Sequence, residues 1–269
     1  MSRELTAQEI AERSLIKTYR KSLWNPFIAA VKRYELVEPG DKIAVCISGG
    51  KDSMVLAKLM QELQRHTEQP FELTFLVMDP GYNPANRALI LENAEKLGIP
   101  VSIFESDIFD VTVQVEKNPC YLCARMRRGF LYSKAQELGC NKIALGHHFD
   151  DAVETFFLSL FYEGRLSCFQ PVTYLDRTGI TQIRPLLYCG EGMLRNAAER
   201  NHLPVVFNPC PADGNTKRQE VKELIKSLDK QYPGLKSRVF GAMQGLPLPA
   251  WGPVEHRRRP LPEEPEDFQ

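Results

Sequence analysis

The sequence predicts an α/β protein: a parallel sheet flanked by helices, with helical N- and C-terminal segments. Short apolar runs of strand type alternate with runs of helical period, the pattern of a sheet covered on both faces. Two of the apolar runs end in polar turns, at Ser48 to Ser53 and at Gly146 to Asp151, and ligands of parallel sheets sit beyond the carboxyl ends of strands. After about Gly190 the spacing is mainly helical.

Taken in order, Thr6-Ala7-Gln8-Glu9 fits a capping box, and Ile10, Leu15, Ile16, Tyr19 and Leu23 then recur at roughly helical spacing. Pro26 interrupts that pattern, a second helical stretch runs to about Tyr34, and Pro39-Gly40 marks a turn. Lys42 to Ile47 reads as a strand, followed by a helix through Val55, Leu56, Leu59 and Leu63. The alternation continues with a strand from Leu73 to Met78, a helix from Ala85 to Leu97 and a strand from Val101 to Phe104. A helix from about Arg125 to Leu138 stops at Gly139, then Lys142 to Leu145 reads as a strand and Asp151 to Phe161 as a helix. The expected organisation is an N-terminal helical segment over 1–40, an α/β domain over 41–190, and a mainly helical part over 191–250 carrying Cys210. The Pro/Glu-rich end over 251–269, with His256-Arg257-Arg258-Arg259, reads as a disordered tail.

At 269 residues, 43% hydrophobic and 25% charged, the chain can bury a sizeable core. Its 34 basic and 34 acidic residues cancel, so there is no global pull toward nucleic acid, although a basic face is still allowed. No run approaches the roughly 18 apolar residues of a membrane span. The polar start Met1-Ser2-Arg3-Glu4-Leu5 lacks a signal-peptide core, so a cytoplasmic protein with no membrane partner is expected. Seven cysteines in a reducing compartment point to metal or redox chemistry rather than to disulfides.

Ser48-Gly49-Gly50-Lys51-Asp52-Ser53 stands between a strand and a helix. Glycines let backbone turn sharply and approach an anion, and the helix N-terminus presents unpaired N–H groups and a positive dipole end. Ser48 and Ser53 add hydroxyls, whereas Asp52 would repel phosphate unless a cation such as Mg²⁺ lies between them. The first glycine of a Walker A loop would fall at Val45, so this is a different loop. A glycine turn with a helix cap is the purely structural alternative.

Cys120-Tyr121-Leu122-Cys123 precedes a helix, and Cys210 lies far downstream. Two residues between thiols let both sulfurs reach one metal, and three thiolates leave a coordination position open. A thioredoxin-like redox pair, half of a structural zinc site and an unrelated Cys210 compete with that reading. Cys46, Cys140, Cys168 and Cys189 sit among apolar or small residues and read as core thiols.

The Ser48–Ser53 hexapeptide matches the Ser-Gly-Gly-x-Asp-Ser signature of the PP-loop ATP pyrophosphatase superfamily, which has the adenine nucleotide alpha hydrolase-like fold. That resemblance implies cleavage of ATP between its α and β phosphates and adenylation of an acceptor. Cys120 to Gly129, Gly146 to Asp151, Asn208-Pro209-Cys210 followed by Asn215 to Gln219, and Tyr232-Pro233-Gly234 resemble segments of the tRNA 2-thiocytidine synthetases, in the same order. The resemblance covers roughly Asp41 to Gln244. It implies a [4Fe–4S] cluster held by Cys120, Cys123 and Cys210, with ATP as co-substrate and Mg²⁺ at Asp52. It further implies a nucleotide pocket of Ser48, Gly49, Gly50, Lys51, Asp52, Ser53, Asp79, Gly146 and Asp151. The implied partners are tRNA and a sulfur donor such as a cysteine desulfurase, with a homodimer as the allowed assembly. The implied reaction replaces the oxygen of a tRNA base carbonyl, cytidine C2, with sulfur; Asp52, Cys120, Cys123 and Cys210 are its catalytic candidates.

Two departures bear on the acceptor: Phe149 stands where the group has a basic residue, and the second cysteine that commonly precedes the one matching Cys210 is absent. A PP-loop enzyme acting on a different base or small molecule, and a redox-sensing module that only binds ATP, are the competing functions. Bland roles exist for single residues: Asp79 as a turn former before Pro80-Gly81, Asp151 as a helix N-cap, and His147 and His148 as structural or substrate-lining groups. Arg125, Arg127 and Arg128, with Lys142, Arg165 and Arg184, form a candidate contact for RNA phosphates, set against a solvated helix face.

Overall fold

The structure, a computed structural model, describes residues 4–79, 84–106, 119–203 and 217–245, the side chains of 119–121, 123 and 124 excepted. It forms two compact units, Met1–Lys222 and Glu223–Gln269.

The first unit is built on a six-stranded sheet of order β3-β2-β1-β4-β6-β5. Its strands are β1 (Lys42–Ile47), β2 (Glu72–Asp79), β3 (Val101–Glu105), β4 (Lys142–Ala144), β5 (Val172–Leu175) and β6 (Ile180–Ile183). β1, β2, β3, β4 and β6 pair in parallel, and β5 pairs antiparallel with β6 at the edge. The β5–β6 hairpin was not expected from the sequence. Both strands are four residues long, too short for a clear period-two pattern.

Helices α1 (Ala7–Arg13), α2 (Asn25–Arg33), α3 (Lys51–His66), α4 (Pro84–Lys96), α5 (Pro119–Glu137), α6 (Phe149–Leu158) and α7 (Glu191–Arg200) belong to the first unit, and α8 (Lys217–Gln231) begins in it. The expected capping box forms, with Thr6 accepting from the Glu9 amide. Pro26 does not break the N-terminal helical run. It takes a position in the first turn of α2, where its missing N–H costs nothing. α5 starts at Pro119, six residues before the expected Arg125, for the same reason.

Strand alternation sorts the core. Ile43, Val45 and Ile47 enter a large cluster with Leu15, Leu23, Phe27, Leu56 and Leu194, whereas Ala44 belongs to a smaller cluster with Leu76, Ala135 and Ile143. α1 is further tied down by Lys58. This fully buried ammonium donates to Glu12 at 2.8 Å, to Gln61 and to the Leu97 carbonyl.

In the second unit, the described residues comprise the remainder of α8 and α9 (Leu235–Gln244). Between them Gly234 takes φ +81° and the Lys236 amide donates to Asp229. Among the described residues no helix is long and apolar enough to cross a membrane.

Candidate nucleotide site

The chain leaves β1 toward β2 on one side of the sheet, and the later strands β4 and β6 lie on the other. The crevice beyond the carboxyl ends of β1 and β4 is therefore the switch point at which such sheets bind ligands. The loops after these two strands face each other there. A Cβ on Gly146 would come within 3.4 Å of the Ser53 amide nitrogen, so the approach suits a residue with no side chain. Gly49 turns the first loop with φ +82°, a left-handed conformation that favours glycine, and Gly50 is the N-cap of α3.

Ser53 braces this loop from inside. Its hydroxyl donates to the Gly50 carbonyl at 2.8 Å and accepts from the Ser48 amide at 3.2 Å. The Ser48 hydroxyl accepts from the Gly50 amide at 3.4 Å. Ser53, expected to add a hydroxyl to the phosphate site, has that hydroxyl donating within the loop and holding its shape. The remaining N–H groups at the start of α3 are left for an anion.

A cavity of about 290 Å³ lies between the loops. Ser48, Asp52 and Ser53 line one side and Gly146, His147 and Asp151 the other, with Cys46 and Met78 from the strands and Arg127 and Leu131 from α5. A larger cavity of about 1010 Å³ lies between the N-terminal helices and the segment Leu63 to Phe71, and has none of these residues. The smaller one is where the chemistry converges. Asp52 Oδ1 is buried with no hydrogen-bond partner among the described residues, while Oδ2 meets Lys51 Nζ at 3.1 Å. A buried carboxylate oxygen without a donor is a fitting ligand for a hard cation such as Mg²⁺. Asp79 is buried at the end of β2.

The N-cap of α6 is His148, not the expected Asp151. His148 Nδ1 accepts from the Asp151 amide at 3.3 Å, and the Asp151 carboxylate accepts from the His148 amide at 2.9 Å. His148 Nε2 lies 4.0 Å from Asp52 Oδ2, so the two loops come close at this point. His147 packs its ring 5.0 Å from that of Phe169. Burial pushes its pKa down to about 4, with Arg184, Arg218 and His148 adding repulsion against the attraction of Asp151, so the imidazole is neutral near pH 7.

Behind the loops lies a layer of ion pairs and hydrogen bonds, most of which join residues 31 to 140 positions apart in sequence and so leave no local pattern; the exception is the one-turn pair of Glu191 and Arg195. Asp150 Oδ2 accepts from the Glu191 amide at 2.7 Å, satisfying an orphan donor at the start of α7. Glu191 gathers Lys222 at 2.9 Å, Arg195 at 3.0 Å and Lys51 at 3.5 Å. Burial alone would raise the Glu191 pKa, but these cations hold it down at about 2. Arg218 reaches Glu154 at 3.3 Å and Asp151 at 3.6 Å. Burial raises the pKa of Glu154.

The expected basic cluster divides. Arg125, Arg128 and Arg165 are exposed and Arg127 lines the cavity. Lys142 is buried against Asp41 at 2.8 Å, and Arg184 is buried with its guanidinium 4.9 Å over the Phe169 ring, so neither is free to meet a polyanion. Cys140 and Cys189 are buried, Cys46 and Cys168 half-buried, and all are free. Burial pushes Cys46 and Cys189 up to about 12 and Cys168 up to about 11, which keeps these thiols protonated and poor as ligands. Cys120 and Cys123 fall in the first turn of α5, with side chains outside the described residues, and Cys210 lies outside them altogether.

A family model described as a PP-loop domain matches residues 18–228. The tRNA-cytidine(32) 2-sulfurtransferase of Aliivibrio fischeri (strain MJ11) is 38% identical over 253 residues, 91% of this chain and 80% of that protein. The protein of the same name from Neisseria meningitidis serogroup C (strain 053442) is 37% identical over 245 residues, 90% of this chain and 76% of that one. Among solved structures, the U34-tRNA thiolase NcsA from Methanococcus maripaludis, described with its [4Fe-4S] cluster, has a similar fold. Its TM-score is 0.67 at 24% identity, over 82% of this chain and 77% of that one. The glycine loop at the switch point and the extent of these matches agree, and the chain belongs to the PP-loop family, among the tRNA-cytidine(32) 2-sulfurtransferases.

Proposed function

We propose that the chain is an ATP-dependent tRNA sulfurtransferase that adenylates a base carbonyl, cytidine C2, and exchanges its oxygen for sulfur. The observation that carries this reading is the meeting of Ser48–Ser53 and Gly146–Asp151 across one cavity, with Asp52 on its wall and the Asp52 Oδ1 buried without a hydrogen-bond partner among the described residues.

The chemical problem is a poor leaving group on an unreactive carbon. The backbone N–H groups of the glycine loop and the N-terminus of α3 hold the phosphates of ATP, and Lys51 lies at the same edge. Asp52 would hold Mg²⁺, which supplies neutralising charge to the phosphates when bound. The base oxygen then attacks the α-phosphorus, the bond to the β-phosphate oxygen breaks, and pyrophosphate leaves. The oxygen departs as AMP when sulfur displaces it at carbon. Loops braced in advance by Ser53 and His148 supply positioning at no reorganisation cost. Neutral His147 lines the cavity without adding a competing charge beside the phosphates.

Cys120, Cys123 and Cys210 would hold a [4Fe–4S] cluster, and three thiolates match a cluster with one iron left open. When bound, the cluster would carry sulfide on its open iron for delivery to the adenylated carbon. The place of the Cys-x-x-Cys pair supports this assignment. Position 123 is four and eight residues before Arg127 and Leu131, on one stripe of α5, and both of those residues line the cavity. A cysteine desulfurase is the proposed sulfur source, its persulfide sulfur being brought to the sulfide level by two electrons from a thiol reductant.

The test is to purify the protein without oxygen, measure iron and sulfide, and assay pyrophosphate release and thionucleoside formation with unmodified tRNA. Iron-bearing protein that forms both products supports the reading. Zinc in place of iron, or pyrophosphate release indifferent to tRNA, contradicts it.

A further inference from the structure

α6 starts at the nucleotide site with His148 and ends in a wide π-type turn, Ser159–Glu163, closed by Gly164 in the left-handed conformation. This far end exposes apolar surface instead of burying it. Phe161 is 50% exposed, Tyr162 46% and Leu166 46%, and Leu160 adds to the patch. The rings form a ladder: Phe156 to Phe157 at 5.9 Å and Phe157 to Phe161 at 5.4 Å between centroids. Basic groups border it. Lys217 Nζ lies 4.3 Å over the Tyr162 ring and Arg165 is exposed in the same turn, while Tyr162 donates its hydroxyl to Glu220.

Exposed rings beside cations suit one ligand chemistry, an unpaired nucleobase with its phosphates. We propose that this aromatic shelf, centred on Phe161 and Tyr162, stacks an unpaired base of the tRNA loop about five nucleotides from the base that enters the nucleotide site; the proposal rests on the tRNA sulfurtransferase reading. Charge balance favours it. A chain with zero formal net charge gains little from general attraction to RNA, so stacking must carry more of the binding. Reach also fits. From Phe149 to Phe161 the helix advances about 18 Å at 1.5 Å per residue, the span of about five stacked nucleotides. A second copy of the chain is a poorer occupant, because Glu163, Gly164 and Arg165 interrupt the apolar run and a dimer face needs about 800 Å² per partner.

The experiment measures binding of unmodified tRNA to the full chain by fluorescence anisotropy, for wild type, Phe161→Ala and Phe161→Tyr. Phe161 is half-exposed and packs on Phe157, so Phe161→Ala should lower the thermal midpoint only modestly and Phe161→Tyr should leave it at the wild-type value, and binding is compared below both midpoints. Phe161→Ala is expected to weaken tRNA binding by about tenfold, and Phe161→Tyr to restore it, since any aromatic face stacks. Unchanged affinity in Phe161→Ala overturns the shelf. So does a shift from dimer to monomer in sedimentation with tRNA affinity unchanged, which would give this face to a second copy. If wild-type protein binds no tRNA and releases pyrophosphate only with another acceptor, the sulfurtransferase reading falls first and the shelf with it.

Discussion

The Ser53 hydroxyl donates to the carbonyl of Gly50 across 2.8 Å, so the residue that closes the phosphate loop's sequence also fixes its shape. Replacing Ser53 with alanine removes that bond and leaves the Ser48 amide without its acceptor, while the Gly50 carbonyl keeps the Met54 amide as a donor. The loss is set at about 1.4 kcal/mol of ordering, a tenfold weaker ATP affinity. Calorimetric titration of Ser53→Ala with ATP checks it, and affinity equal to wild type would show that the loop holds its shape without this hydroxyl.

Asp52→Asn keeps the size of the side chain and removes its charge. If the buried Oδ1 holds Mg²⁺, pyrophosphate release should fall by about 100-fold or more, while the fold stays intact. Steady-state pyrophosphate assays over a Mg²⁺ series read this directly. A variant with wild-type rates and wild-type Mg²⁺ dependence would remove Asp52 from the site.

Stability against acid should fall in two windows. The His147 pKa is lowered to about 4, so the unfolded chain binds that proton more tightly than the folded one. Stability therefore declines as pH drops from about 6.5, the ordinary histidine value, through about 4. Glu12 is depressed to about 2, with burial opposing and Arg65 and Lys58 lowering it. Its contribution is present above its ordinary value near 4.5 and is lost as pH falls toward 2. His147→Gln should flatten the slope of unfolding free energy in the upper window only. Denaturant melts across pH measure it, and an unchanged slope would contradict a buried, neutral His147.

The Lys58 ammonium is wholly buried, and Glu12 is its charged partner at 2.8 Å. Glu12→Gln leaves the cation with only the more distant charge of Glu62, though Gln61 and the Leu97 carbonyl still accept from it. A loss of about 3 kcal/mol is expected, the lower part of the range for breaking a buried pair. Thermal unfolding of the variant tests it; a midpoint equal to wild type would mean the carbonyl and amide suffice.

The sequence made the first loop legible because its signal is local: an apolar strand, two glycines, and a helix that starts at Lys51. The parallel core strands were legible for the same reason. β5 and β6 were not, since strands as short as Val172–Leu175 and Ile180–Ile183 carry too few residues to show a period. The capping of α6 by His148 escaped because histidine is not among the usual cap residues and Asp151 is. Around Glu191, Lys51 and Asp150 come from the starts of helices far away in sequence, and Lys222 from a later helix, so that only tertiary packing brings them together. Lys142 and Arg184 resembled members of a basic face because sequence shows charge and not depth. The three cysteines were found from spacing and resemblance, and their side chains lie outside the described residues.

The most direct test of adenylation at the glycine loop uses ATP labelled at the α-phosphate, unmodified tRNA and protein freed of exchangeable sulfur. The account predicts label trapped on the tRNA as an adenylated base, released as AMP when sulfide is added, and absent with Asp52→Asn. Unlabelled tRNA alongside continued pyrophosphate release, or label that persists with Asp52→Asn, would contradict it.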